Sequence, residues 1–192
     1  MSLIIDQVPE KVLIGDKEIA INTDFRVSIL FELLMQDKEL DAKSKTREAL
    51  ALYYPKIIPK ELQSEALERA LWFYTGGKEL EDIKESKGSG RSQGKQYSFE
   101  YDDAYIYAAF KAQYGIDLQD EDLHWWKFKA LFLGLNEECK ISKIMSYRAT
   151  LVTSEMSKSE QKFYRKMQDL YALPDTRTEE EKEADFADAL SF

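Results

Sequence analysis

Apolar side chains recur in this sequence at three- and four-residue intervals, in blocks that proline and glycine cut short. That pattern commits most of the chain to amphipathic helices. Phe25, Ile29 and Leu33 stand four apart, with Leu30 and Leu34 beside them. Asn22-Thr23-Asp24 precede them with side chains able to accept the unpaired N–H groups of a starting helix. A shorter helix is expected from Thr46 to Tyr54, closed by Pro55, whose ring clashes with the preceding turn. Pro59 suits the first turn of a third helix, lined by Leu62, Ala66, Ala70 and Phe73 and stopped by Gly76-Gly77. Asp102 or Asp103 starts a fourth, with Ile106, Ala109 and Phe110 inward and Gly115 as its stop. Asp120-Glu121-Asp122 is expected in the first turn of a fifth, where the helix dipole favours negative charge. Leu123, Trp126, Ala130 and Leu133 then share one stripe, and the helix ends near Asn136. Ile141, Ile144 and Met145 repeat over Cys139 to Arg148. Ser157-Lys158-Ser159-Glu160 matches a capping box ahead of a last helix carrying Phe163, Met167 and Leu170 to Pro174.

Two stretches depart from this period. Val12-Leu13-Ile14 and Glu18-Ile19-Ala20-Ile21 flank Gly15-Asp16-Lys17, which predicts a β-hairpin with a three-residue loop, marginal unless it packs on helices. Lys84 to Lys95 carries no large apolar side chain, so it cannot bury enough surface to offset its ordering entropy. The expected architecture is mainly α: residues 1–75 as hairpin plus three helices, 76–96 as a flexible linker or loop, 97–173 as a four-helix segment and 174–192 as an acidic tail. One compact domain overall is equally compatible with that layout.

The net charge of −9 is unevenly spread: residues 174–192 hold seven acidic and two basic side chains, more than half of the imbalance. Such a chain is repelled by nucleic-acid phosphates unless basic residues concentrate locally, and no such concentration is visible. A single cysteine excludes an intrachain disulfide. No apolar run approaches the roughly 18–20 residues a membrane span needs, and Met1-Ser2-Leu3 does not open a signal peptide. These features predict a cytoplasmic protein with no membrane partner.

Motifs for chemistry are sparse. Gly88-Ser89-Gly90 and Gly94 lack the preceding strand of a phosphate-binding loop. His124 and Cys139 are the only residues of their types, and nothing else of a nucleophilic constellation accompanies them. Asp117, Asp120 and Asp122 suggest a calcium loop only superficially, since the sharp-turn glycine is missing and Phe128 stands where a bidentate glutamate belongs. One Cys and one His cannot make a zinc site. The sequence therefore predicts no enzyme, no cofactor and no metal.

Aromatic residues crowd Tyr97 to Phe132, including adjacent Trp125 and Trp126, which point about 100° apart on a helix. A large helical core is the first reading of that crowding, and a protein interface anchored by Trp and Tyr is the second. Trp125, Trp126, Tyr147 and Arg148 are the residues singled out as core or interface signature. Arg148 is expected to pair with an acid such as Asp122.

Several runs taken in order carry a family resemblance. They are Ile21-Asn22-Thr23-Asp24-Phe25-Arg26, Tyr114-Gly115-Ile116-Asp117-Leu118, Leu123-His124-Trp125-Trp126-Lys127-Phe128, Ser146-Tyr147-Arg148 and Phe163-Tyr164-Arg165-Lys166-Met167. Over about Leu3 to Leu173 the chain resembles the bacteriophage "gene product fifteen" family of tailed phages and prophages of Gram-positive bacteria. The resemblance implies a gene in the tail module, near those of the major tail and tape-measure proteins. It thereby implies a role similar to that of tail assembly chaperones, which keep the tape-measure protein soluble in the host cytoplasm. The expected partner is a phage tape-measure or tail protein, with self-association allowed and no nucleic acid. The alternatives are a structural or adaptor component of the virion and a helical DNA-binding factor of packaging or regulation. The resemblance supplies no catalytic or binding residues.

Overall fold

The structure, a computed structural model, describes residues 2–78 and 95–174. Within them a two-stranded antiparallel hairpin, β1 (Lys11–Ile14) and β2 (Lys17–Ala20), precedes seven helices. These are α1 (Phe25–Gln36), α2 (Ala42–Tyr53), α3 (Gln63–Thr75), α4 (Asp103–Tyr114), α5 (Trp125–Leu133), α6 (Lys140–Ala149) and α7 (Lys158–Leu170). The class is mainly α with a short N-terminal hairpin, as the sequence predicts. Most of the expected 76–96 linker, and the expected acidic tail after Pro174, lie outside the described residues.

Local chemistry sets the element ends, and in three places it departs from expectation. Ile14 pairs with Lys17, so the hairpin loop has two residues and not three. Gly15 takes the left-handed conformation (φ 57°) that such a loop needs at its first position. Its N–H donates to Glu65 Oε1 at 2.9 Å, tying the loop to α3. α2 starts at Ala42 and not Thr46, because Asp41 accepts from the Ser44 N–H at 2.9 Å and caps a first turn with no large apolar side chain. α5 starts at Trp125, beyond the expected acidic first turn. Asp120-Glu121-Asp122 lie in the preceding loop, and His124 is the cap.

Elsewhere the expected signals hold. Pro59 opens a single 3-10 turn, Lys60–Leu62, that leads into α3. Gly76 and Gly115 close α3 and α4 in the left-handed conformation. Ser157 and Glu160 satisfy each other's backbone donors at the start of α7.

The core draws on both sides of the undescribed 79–94 stretch. Its centre is Phe128 of α5, whose ring stacks on Phe25 of α1 at 4.7 Å and on Phe110 of α4 at 4.9 Å. Phe31, Tyr53 and Phe73 extend it through α1, α2 and α3. Two buried hydroxyls are paired inside it: Tyr53 with Ser28 Oγ at 2.9 Å, and Tyr54 donating to the Ala66 carbonyl at 2.7 Å. Val12 and Ile14 press the inner face of β1 onto this core, while Leu13 faces out.

Removing the central ring leaves a cavity bounded by other rings that cannot collapse onto it. Phe128→Ala should therefore cost about 3–5 kcal/mol in urea unfolding at an unchanged m-value. A cost below about 1 kcal/mol would show that the stack does not carry the core.

Candidate functional site

The expected signature residues fall into two clusters. Trp125 and Trp126 sit where α5 begins. The start of α5 is locked to the start of α1 by an antiparallel bridge: the Phe25 N–H donates to the Leu123 carbonyl at 3.0 Å, and the Trp125 N–H to the Thr23 carbonyl at 2.8 Å. Asp24 caps α1 by accepting from the Arg26 N–H at 2.7 Å. His124 caps α5 by accepting from the Trp126 N–H on Nδ1 at 3.0 Å, while its Nε2 lies 3.1 Å from the Pro9 carbonyl. The two contacts together define a neutral ring with its proton on Nε2, donating to Pro9. Burial holds its pKa below the ordinary value near 6.5, and Lys127 adds to that. The Pro9 carbonyl and Glu10 pull the other way.

Both tryptophans are buried, and both indoles point at the carbonyl end of α3. Trp126 Nε1 donates to the Phe73 carbonyl at 2.7 Å and Trp125 Nε1 to the Tyr74 carbonyl at 2.8 Å. Lys129 Nζ adds a bond to the Tyr74 carbonyl at 3.1 Å, and burial lowers its pKa. The close fit depends on Gly77: at φ 83° it lies where an added Cβ would meet Trp126 Cη2 at 2.9 Å. The stripe expected on α5 is out of phase. Ala130 and Leu133 face solvent, and the inward residues are Trp125, Trp126, Phe128 and Phe132.

Tyr147 and Arg148 form the second cluster, at the junction of α4, α6 and α7. The partner of Arg148 is Asp102 and not Asp122. Nη1 and Nη2 contact the two carboxylate oxygens at 2.6 and 3.0 Å, and both side chains are buried. Nη1 also donates to the Gln96 carbonyl at 3.0 Å and Nε to the Tyr171 carbonyl at 2.7 Å, so one guanidinium ties three segments together. Asp102 therefore does not cap α4 through its side chain. It accepts from the Ser98 N–H instead. Tyr147 is half-buried against the rings of Phe163, Tyr164 and Tyr171.

A third arrangement was not read from the sequence. Between α1, α4 and the loop before α5 lies an open cleft of about 480 Å³. Phe25, Ile29, Phe99, Ile106, Leu118 and Phe128 line it, with Ala104 and Tyr107 at its side. Arg26 closes one end, but its charge is committed. It pairs with Asp24 at 2.8 Å and donates to the carbonyls of Leu118, Gln119 and Glu121 at 2.7–3.2 Å. The sequence signal for this clamp was the Asp-Phe-Arg run itself, but its carbonyl partners lie more than ninety residues away. The cleft suits an apolar insertion better than a charged ligand.

The other candidate groups are engaged in the fold. Asp117 accepts from Tyr107, Lys111 and the Gln119 N–H, each at 3.0 Å. Cys139 is half-buried, with Sγ 3.6 Å from Gln113 Oε1. Among the described residues, no three His, Cys, Asp or Glu groups are placed to hold a metal, and no helix is long and apolar enough to cross a membrane. Compared with known proteins, residues 4–173 match the family model described as Bacteriophage Gp15 protein. No curated protein and no solved structure matches the chain.

Two outcomes are expected. Arg148→Ala leaves the Asp102 carboxylate buried and unpaired and should cost about 3–5 kcal/mol, whereas Arg148→Met with Asp102→Leu should recover most of that loss; equal losses in both would rule out an ion-pair effect. Because the folded protein disfavours protonated His124, stability should be full above pH about 6.5 and fall as the pH drops below it. His124→Asn keeps a cap acceptor that does not titrate, so its stability should fall less over that window. Identical pH profiles would remove His124 as the cause.

Proposed function

This chain belongs to the bacteriophage Gp15 protein family, and on that premise we propose that it works in phage morphogenesis as a tail assembly factor. In this reading it binds the tape-measure protein in the host cytoplasm, as tail assembly chaperones do, and performs no bond-making itself. Family membership across almost the whole described chain is the observation that carries the proposal.

The physical features of the surface support it. A tape-measure protein is a long helical chain with apolar stripes, and such stripes are held by grooves that accept side chains at helical spacing. The cleft beside α1 and α4 offers a mainly apolar lining, and the arginine at its rim is already satisfied internally. Exposed apolar side chains such as Ile4, Ile57 and Leu133 add surface for association. The lone histidine commits both ring nitrogens to backbone groups, which leaves it no role as a base.

Co-expression with the tape-measure protein of the same phage tests the reading. A soluble complex is expected, and no complex together with no gain in solubility would refute it. Ala104→Trp fills the cleft from an exposed position on the first turn of α4, so it should weaken that complex at least about tenfold while leaving the melting temperature within a few degrees. Purified virions discriminate the neighbouring reading of a structural component: an assembly factor is scarce there by mass spectrometry, and a virion component is present at fixed stoichiometry.

A further inference from the structure

α7 separates its apolar and polar faces sharply, yet none of its residues is fully buried. It leans on α6 through the Tyr147 rings and through Gln168 Nε2, which donates to the Tyr147 and Thr150 carbonyls at 3.0 and 2.6 Å. That contact leaves one flank uncovered. Phe163 is 46% exposed and Leu170 63% exposed. Seven residues apart, they lie on one line along the helix, with Lys166 on the same side and Lys162 next round. Neither Lys162 nor Lys166 has an acidic partner among the described residues. α6 and α7 together are basic, against the sign of the whole chain. An apolar line edged by unpaired lysines selects an acidic segment that carries spaced apolar side chains.

The chain contains such a segment immediately afterwards. Residues 175–192 hold seven acidic and two basic side chains, with Phe186, Leu190 and Phe192 at near-helical spacing. They begin five residues beyond the end of α7. Eighteen residues reach about 60 Å when extended, while α7 is only about 20 Å long, so the segment has ample length to return along it. We propose that residues 175–192 of the same chain dock on the Phe163–Leu170 line of α7, with their acidic side chains toward Lys162 and Lys166. The docking surface shares no lining residue with the cleft, and the proposal does not rest on the tape-measure reading.

Hydrogen exchange on the full chain at low salt tests it. Phe186→Ala/Leu190→Ala/Phe192→Ala should raise exchange of the α7 amides about tenfold, with the α1 and α5 amides unchanged. Lys162→Glu/Lys166→Glu should do the same, and high salt should reduce the protection in the unmodified chain. Unchanged α7 exchange in the tail variant overturns the proposal. The protection should survive an approximately hundredfold dilution; loss on dilution would assign the site to a second copy's tail and overturn docking within one chain.

Discussion

Two adjacent indole N–H groups finish the carbonyl end of α3, and much of the molecule is arranged around that contact. The last carbonyls of a helix have no partner within it. Here the Phe73 carbonyl accepts from Trp126 beside the Gly76 N–H, and the Tyr74 carbonyl from Trp125 and Lys129, on a helix some fifty residues later in the chain. For both indoles to reach back, α5 must be rotated so that its first turn faces α3. That rotation carries Phe128 and Phe132 into the centre and turns Ala130 and Leu133 outward. It also explains the glycine that follows α3. Gly77 provides the left-handed turn and the missing Cβ that let the Trp126 ring lie against the backbone.

What could be read from the sequence was whatever is settled locally. The Ser157–Glu160 box, the Gly76 and Gly115 stops, and the inward Ile106, Ala109 and Phe110 each depend on residues within a turn or two. The phase of α5 does not. A stripe through Trp126, Ala130 and Leu133 is as regular as the one observed, and only the distant carbonyls of Phe73 and Tyr74 choose between them. The start of α5 was obscured for a related reason. Asp120-Glu121-Asp122 looks like an acidic first turn, but His124 is paired with Asp24 across the bridge, and that pairing fixes where the helix begins.

The Arg148–Asp102 pair illustrates the same limit in charge rather than phase. Its partners are 46 residues apart, and an acid on the neighbouring helix was as reasonable a choice from sequence. Burial of a pair contributes little net stability relative to apolar residues of the same shape, because desolvation offsets the attraction. Its effect is geometric. One planar group with several donors fixes the segment entering α4, the end of α6 and the end of α7 at once, through Gln96, Asp102 and Tyr171.

The two uncovered surfaces differ in what they ask of a partner. At the cleft, Arg26 is saturated by Asp24 and three carbonyls, so the charge at its rim offers little to an incoming acid, and selectivity must come from shape and apolar contact. Along α7 the lysines have no internal acids to answer them, so charge adds to the apolar contact and the interaction weakens with salt. The division follows from where the fold places its ion pairs: Asp24 pairs with the arginine at the cleft, and no described acid forms an ion pair with Lys162 or Lys166.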